Sequence, residues 1–228
     1  FQYLKSSDNY LYAFRDNNNF PQYEEINSFD PTNQTNSGYT TEWALMSYFG
    51  RLNYSYDGKY ILEANARYDG SSRFSKGHKW GFFPSFSGAW RFSSEKFMSS
   101  LPWWSNGKLR ASWGKLGNQN IGNYPWQTVF NLGKDYPFGD NFALGAAVAT
   151  ATDPTIKWEE TQTYDAGFES IFWNGMLSLN ASYFYRNTYD ILYKPSESIS
   201  SVLGQKISVM NTGKLRNTGW EFEIGHRN

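Results

Sequence analysis

Two short stretches restrict the fold of this chain more than any other feature. Tyr60, Leu62, Ala64, Ala66 and Tyr68 alternate with Glu63, Asn65, Arg67 and Asp69. Leu177, Leu179, Ala181, Tyr183 and Tyr185 alternate in the same way with Ser178, Asn180, Ser182 and Arg186. A period of two means a strand whose two faces meet different environments. Its recurrence along the chain predicts an all-β protein built on a large antiparallel sheet. In water the apolar face would cover a protein core. In an outer membrane it would meet lipid, while the polar face lined a hydrated or plugged lumen.

Composition bears on that choice. Aromatic residues make up 20% of the 228 residues, whereas all hydrophobic residues together reach only 39%. Leu, Ile and Val are too sparse for a conventional core. A barrel wall needs bulky groups on one face only, with aromatic girdles at the lipid boundary. A soluble aromatic-rich β-sandwich is the alternative. The formal charge of +0 offers no field for nucleic acid. With no Cys, disulfides and thiolate metal sites are excluded. No apolar run reaches the length of a membrane helix, which is equally true of barrels, since their strands alternate. Phe1 to Tyr12 carry none of the parts of a signal peptide, and the chain stops just after a strand-like segment. The expectation is an interior piece of a longer protein.

Strands are predicted at about 42–56, 59–68, 80–93, 108–115, 159–172, 176–193 and 215–225. Residues 1–41, rich in Asn, Ser, Thr and Tyr, are predicted to be loop-rich with short strands. Asp57-Gly58 and Asn174-Gly175 are tight-turn signals, because these residues tolerate positive φ. Pro84 lacks a ladder donor and should mark an irregularity. Trp103-Trp104 suits either a membrane interface or a hydrophobic plug. Residues 94–107 form a connection that carries this pair, and 69–79, 116–157 and about 194–210 are longer than the tight turns. Short turns at one end and long loops at the other favour the transmembrane barrel over the sandwich. The segment 116–157 is expected to be a large extracellular loop, of a length that usually carries function.

Several strings then resemble one family. Ser47-Tyr48-Phe49-Gly50-Arg51-Leu52-Asn53-Tyr54 is followed by Arg67-Tyr68-Asp69-Gly70-Ser71-Ser72-Arg73-Phe74. Further along come Trp80-Gly81-Phe82-Phe83-Pro84-Ser85-Phe86-Ser87, Leu109-Arg110-Ala111-Ser112-Trp113-Gly114, Gly117-Asn118-Gln119-Asn120-Ile121-Gly122, Trp158-Glu159-Glu160-Thr161-Gln162-Thr163 and Asn217-Thr218-Gly219-Trp220-Glu221-Phe222. In this order they resemble the SusC/RagA family of TonB-dependent outer-membrane transporters of Bacteroidota. The resemblance covers most of residues 42–225. It implies an antiparallel transmembrane β-barrel segment, part of a 22-stranded plugged barrel. In that frame 42–228 supplies wall strands, and the plug and N-terminal domains are absent. It also implies a SusD-like surface lipoprotein over the mouth and energy from TonB, ExbB and ExbD through the missing N-terminal region. The expected activity is import of an oligosaccharide or another large nutrient, with no enzyme chemistry and no cofactor. A peptide importer of the same family and a soluble extracellular carbohydrate-binding domain are the alternatives.

No catalytic constellation is recognisable. His78 and His226 have no local ligand spacing, so no metal site is assigned. Glu159 and Glu160 are adjacent on a strand and point to opposite faces, which argues against a cooperating acid–base pair. The glycines near Gly114, Gly117 and Gly122 lack the Lys-Ser/Thr ending of a phosphate-binding loop. Asp69 and Gly70 are expected to set a turn, with Arg73 bonded within its loop. Candidate lumen or plug contacts are Arg51, Arg67, Arg91, Asp165, Glu169 and Arg186. Candidate ligand or partner contacts in the long loop are Tyr124, Trp126, Tyr136 and Phe138, whose rings suit sugar faces and peptides alike.

Overall fold

The computed structural model describes residues 1–139, 141–148, 150–194 and 206–227. Eight long strands form one sheet of adjacent antiparallel neighbours: β1 (Gln2–Arg15), β2 (Gln34–Tyr56), β3 (Tyr60–Ser71), β4 (Trp80–Trp90), β5 (Trp104–Asn118), β11 (Glu159–Phe172), β12 (Leu177–Tyr193) and β14 (Met210–His226). Six shorter strands lie in the connections: β6 (Phe130–Leu132), β7 (Tyr136–Phe138), β8 (Asn141–Ala143), β9 (Ala146–Val148), β10 (Thr150–Ala151) and β13 (Lys206–Ile207). They pair as β6 with β9, β7 with β8 and β10 with β13.

The alternation behaves as the sequence requires. Row by row, Leu52, Ala64, Phe86, Trp113, Tyr164 and Tyr185 lie in register across neighbouring strands on one face. No protein core covers this row: Leu52 is 69% exposed, Phe86 53% and Tyr164 47%, with Ala64, Trp113 and Tyr185 half-buried among their neighbours. The opposite face carries Ser47, Asn65, Ser85, Ser112 and Asp165. This is the reverse of a protein that folds around its apolar groups in water. On β4, Trp80 and Trp90 share the aromatic face ten positions apart. At about 3.3 Å per residue they are about 33 Å apart along the strand. A tilt of roughly 40° reduces this to about 25 Å in height, the thickness of the apolar band on barrel walls. Trp80 stacks on Tyr68 with centroids 4.7 Å apart at one boundary, and Trp90 approaches Phe97 at 6.4 Å at the other.

The two tight turns lie at one end of the sheet, together with the longer connection 91–103, and the connections 16–33, 72–79 and 119–158 lie at the other. The turn after β2 has Asp57 and Gly58 at φ 51° and 61°, and the Lys59 N–H donates to the Tyr56 carbonyl at 3.0 Å. Positive φ at both positions matches the twist of the flanking strands. The Asn174-Gly175 turn is wider. Trp173, Asn174 and Gly175 all have positive φ and form one 3-10 turn between the last pair, Phe172 and Leu177.

Several expectations need correction. The opening region is not mainly loop. β1 pairs with β2 from Gln2–Ser47 to Arg15–Gln34, and the resulting hairpin runs well beyond the end of β3, which stops opposite Leu45. Its residues Ser6, Ser7, Asp8 and Asn9 pair with β2 beyond the end of β3, are mostly exposed and show no apolar alternation. β4 ends at Trp90; Phe92 leaves the strand in a 3-10 turn and is 8% exposed. β5 begins at Trp104 rather than Lys108, and β14 at Met210 rather than 215. Asp69 and Gly70 lie inside β3, so the connection starts after Ser71. Of the connection expected near 194–210, residues 195–205 lie outside the described residues.

One ladder is short. β4 and β5 pair over six positions, Ser85–Trp90 with Leu109–Gly114, whereas β4 pairs with β3 over eleven and β5 with β11 over fourteen. Beyond Ser85 the two strands part, one residue after Pro84, where an irregularity was expected. The Phe83 ring occupies the space that a Cβ at Gly117 would need, 2.1 Å from it. Gly117→Val should therefore destabilise the intact barrel by about 1–3 kcal/mol through overpacking, measured by urea unfolding in lipid vesicles. At the short-turn end, Glu95 accepts hydrogen bonds from Tyr60 (2.8 Å) and Trp90 (3.2 Å), with Lys59 at 3.6 Å. These donors hold its pKa below the ordinary 4.5, the Tyr60 bond contributing most. Its stabilisation is present above the unfolded value and is lost as pH falls through the lowered folded one. Amide exchange in residues 92–98 should accelerate on acidification below that range, and Glu95→Gln should remove this step.

Candidate functional site

At the long-loop end, side chains from three connections converge on the polar face. Phe74 and Ile156 are fully buried, Phe83 is 6% exposed and Trp158 5%. The Trp158 ring lies 5.2 Å from Phe74 and 5.3 Å from Phe83, and its indole N–H donates to the Lys79 carbonyl at 3.0 Å. Leu45, Ile121, Leu192 and Val209 pack around this nucleus. Polar bonds tie the same connections together. Ser75 donates to the Pro154 carbonyl at 2.6 Å. Arg73 donates to the carbonyls of Gln119 (3.2 Å) and Ile121 (3.0 Å), and its guanidinium lies 4.3 Å from the Trp43 ring centroid. The Arg73 guanidinium is thus bonded to the next loop, while its amide N–H donates locally to Ser71 Oγ at 3.2 Å.

Below this aromatic cap the polar face forms a cavity of about 660 Å³. Arg51, Asn65, Arg67, Asp69, Ser85, Lys115 and Gln119 supply polar groups, and Phe49, Phe83 and Trp158 supply rings. Each cation in it has a partner. Arg67 forms an ion pair with Asp69 at 2.7 Å and donates to Ser47 at 3.2 Å. Arg51 donates to Asn65 at 2.7 Å, with Glu63 at 3.9 Å. Lys115 reaches Glu160 at 3.2 Å. Paired in this way, the guanidinium and ammonium groups are held in place but offer no concentrated positive field to an acidic polymer. The remaining hydroxyl, amide and ring surfaces suit a neutral polar ligand.

The structure thus brings Arg51 and Arg67 together. Asp165 and Glu169 belong to a separate ladder toward the short-turn end. There Arg110 bonds Asp165, its Nε lies 3.0 Å from Glu169 without a hydrogen bond's alignment, and Lys108 is 2.6 Å from Glu169. Gly167 permits this arrangement, because a Cβ there would meet the Arg110 guanidinium at 2.6 Å. Arg91 lies just past the end of β4, and Arg186 is exposed on β12. Glu159 and Glu160 go to different partners: Glu159 accepts from Asn118 (2.6 Å) and the Leu192 amide (2.8 Å), while Glu160 takes Lys115.

The four loop aromatics are also divided. Tyr136 and Phe138 stand 66% and 75% exposed on the small β7–β8 hairpin, their rings 6.3 Å apart. Tyr124 and Trp126 are half-buried near the base of the loop, where Gln127 N–H closes a turn on the Tyr124 carbonyl at 3.0 Å. Sequence reasoning missed Trp158, Phe83 and Lys115 as cavity residues. Phe83 gave a signal, a large ring on the side of a strand that otherwise carries only the small residues Gly81, Ser85, Ser87 and Ala89. Trp158→Ala should cost about 3–5 kcal/mol in the intact barrel and speed amide exchange in 119–158. Arg73→Ala should produce the same loosening of 119–121 with a smaller loss of stability, both read by exchange mass spectrometry.

Comparison with known proteins gives a consistent result. The family described as "TonB dependent receptor-like, beta-barrel" matches residues 3–227. TonB-dependent receptor SusC of Bacteroides thetaiotaomicron is 38% identical over 192 residues, 82% of this chain and 19% of that protein. A TonB-dependent receptor of Formosa agariphila is 33% identical over 216 residues, 95% of this chain and 22% of its own length. The chain therefore spans about a fifth of the curated relatives it matches. Among solved structures, the RagAB peptide transporter superposes with a TM-score of 0.74 at 25% identity, over 98% of this chain and 25% of that one. The siderophore receptor PirA of Acinetobacter baumannii shares the fold at a TM-score of 0.54 and 13% identity, over 82% of this chain and 26% of that one.

Proposed function

Since this chain belongs to the TonB-dependent receptor β-barrel family, as a SusC/RagA-like segment of an outer-membrane barrel, we propose that it forms part of the wall of an importer for oligosaccharides or other large polar nutrients. The relatives matched are receptors and not enzymes. In this reading the aromatic face meets lipid and the polar face lines the conduit. The loop end faces outward, beneath a SusD-like lipoprotein. Energy reaches the intact protein from TonB through a plug supplied by other parts of the chain.

The observation that carries the reading is the cavity on the polar face, roofed by the Phe74–Phe83–Ile156–Trp158 cap. It combines fixed hydrogen-bonding groups with aromatic surface and has each of its cations partnered. That chemistry favours a neutral glycan: hydroxyls take the amide and guanidinium donors, and apolar sugar faces take the rings. The likeness to RagAB, a peptide transporter, supports peptide as the second reading, since backbone amides use the same donors.

Binding and uptake by the complete transporter with its partner lipoprotein test this assignment. Saturable glycan uptake is expected. Saturable peptide binding with no glycan uptake across a broad panel would transfer the assignment to peptide. Arg51→Ala and Arg67→Ala should each lower ligand affinity by about 2–10-fold, the loss of one hydrogen bond worth about 0.5–1.5 kcal/mol, with barrel assembly unchanged. Leu62→Arg on the aromatic face should destabilise the barrel by roughly 2–4 kcal/mol if it lies near mid-bilayer. Epitope tags at residues 76–77 and 133–134 should stain on whole cells and a tag at Asp57-Gly58 should not. The opposite pattern would invert the topology.

A further inference from the structure

The β1–β2 ribbon has one aromatic side. β3 stops opposite Leu45, so the pairs from Lys5–Ala44 to Arg15–Gln34 extend past it toward the loop end. Register sorts their side chains onto two faces. On one face Lys5 meets Glu42 at 3.1 Å, Thr40 donates to Asn9 at 2.7 Å and Arg15 donates to Gln34 at 3.3 Å. Leu11 stands on that face opposite Gly38. The other face carries Tyr10, Tyr12 and Phe14 on β1, with Thr35, Ser37, Tyr39 and Thr41 across from Phe14, Tyr12, Tyr10 and Asp8 on β2. Tyr10 stacks on Tyr39 with centroids 4.9 Å apart. The Tyr12 and Phe14 rings lie 6.5 Å apart with planes 4° from parallel. All four rings are between 41% and 59% exposed.

The residue types on this face are selective. They are rings and hydroxyls, with no aliphatic side chain from Asp8 to Phe14 or from Thr35 to Thr41. Asp8 is the one charge there, so an acidic polymer finds no cation on the strip. A neutral sugar chain matches both components. Its apolar C–H faces cover ring surface, and its hydroxyls pair with Thr, Ser and phenol groups. From Tyr10 to Phe14 the strip runs about 13 Å along the strand, room for several sugar units. The same column of alternate residues continues down β2 through Trp43 and Leu45 to Ser47. Trp43 packs on the Arg73 guanidinium, Leu45 lines the polar-face cavity, and Ser47 accepts a bond from Arg67 within it. The strip thus leads to the cavity along one face of one strand.

We propose that this strip is an outer binding site for a neutral glycan chain, which lies along Tyr39, Tyr10, Tyr12 and Phe14 while its end occupies the cavity. The proposal rests on the glycan reading above and deepens it with a second zone of contact beyond the barrel wall. A short oligosaccharide fills the cavity alone, and a longer one also covers the rings. Affinity therefore rises with chain length, and the rise resides on the ribbon.

The test is calorimetry of the intact transporter in detergent, with and without its partner lipoprotein, against short and long neutral oligosaccharides of gluco-, manno-, xylo- and fructo- series. In a series that binds, the wild type should hold the long chain more tightly than the short one. Tyr12→Ala with Phe14→Ala should lower affinity for the long chain about tenfold, the equivalent of roughly 55 Å² of apolar surface left uncovered, and leave the short chain as it was. Tyr12→Leu with Phe14→Leu should do the same, because it keeps apolar bulk and removes the ring faces, whereas Tyr12→Phe should preserve the gain. Leu11→Ala, on the opposite face, should change neither chain. Heat-dependent gel mobility verifies folding, and Phe14→Ala alone substitutes if the double variant does not assemble. Undiminished length dependence in the ring variants overturns the strip, and leaves the glycan reading standing where Arg51→Ala or Arg67→Ala still weakens the short chain. Loss of the lipoprotein from the ring variants with length dependence intact also overturns it, and assigns the strip to protein docking. A wild type that binds peptide and no glycan overturns the strip and the glycan reading together.

Discussion

Backbone hydrogen bonding that lipid cannot provide is the constraint from which the rest of this structure follows. A strand crossing hydrocarbon must give every N–H and C=O to a neighbouring strand. The long strands meet this by pairing with their chain neighbours in antiparallel order, β1 and β14 on one side and the others on both, with the β4–β5 joint left open beyond Ser85 and Gly114. Once that ladder is imposed, side chains can only alternate outward and inward. The bulky apolar residues are then sent to the outside, where 39% hydrophobic content is sufficient. Polar groups are left on the inner face, where Arg110 and Lys115 are held by carboxylates across strands and Arg67 by Asp69 on its own strand. An inner face of this kind is a preorganised polar surface, and a cavity on it needs no separate core.

Beyond the lipid the same chain follows different rules. The loop end is in water, where segments must bury apolar area to stay ordered. They do so through a small nucleus: Phe74 from one connection, Ile156 and Trp158 from another and Phe83 from β4. The nucleus also receives two polar ties, Arg73 to Gln119 and Ile121, and Ser75 to Pro154. The long loop is therefore anchored at its base, while its outer hairpin carries Tyr136 and Phe138 into solvent. The base of the loop is thus fixed to the wall, and its tip is free of it.

The parts of the fold that were legible in the sequence are those on which lipid acts. Tyr60 to Tyr68 and Leu177 to Tyr185 alternate because one face is bathed in hydrocarbon, and their strands were placed within a few residues. β1 was not legible, since Ser6 to Asn9 are an unbroken polar run with no period of two. The three-residue strands of the long loop are too short to show a period. Of the site, Arg51 and Arg67 could be read from parity alone. Trp158 and Ile156 could not, because a nucleus assembled from residues some eighty positions apart has no local pattern. The loop aromatics were grouped by sequence proximity, and hairpin geometry separated them.

The six-pair ladder between β4 and β5 gives the wall a mechanical anisotropy. Resistance to shear between two strands grows with the number of backbone bonds joining them. This joint therefore carries less than half the bonded length of the β5–β11 joint beside it. Above Ser85 and Gly114 the load passes instead through Phe83 and the loop nucleus, which are soft, short-ranged contacts compared with a hydrogen-bonded strip. A force applied from within the conduit would be distributed evenly through the neighbouring strands and concentrated here, as a sheet of card bends along a score. The stiffness of the rim is in this way set by an aromatic ring lying over a glycine, and the loops that shape the mouth share their foundation with the most compliant line in the wall.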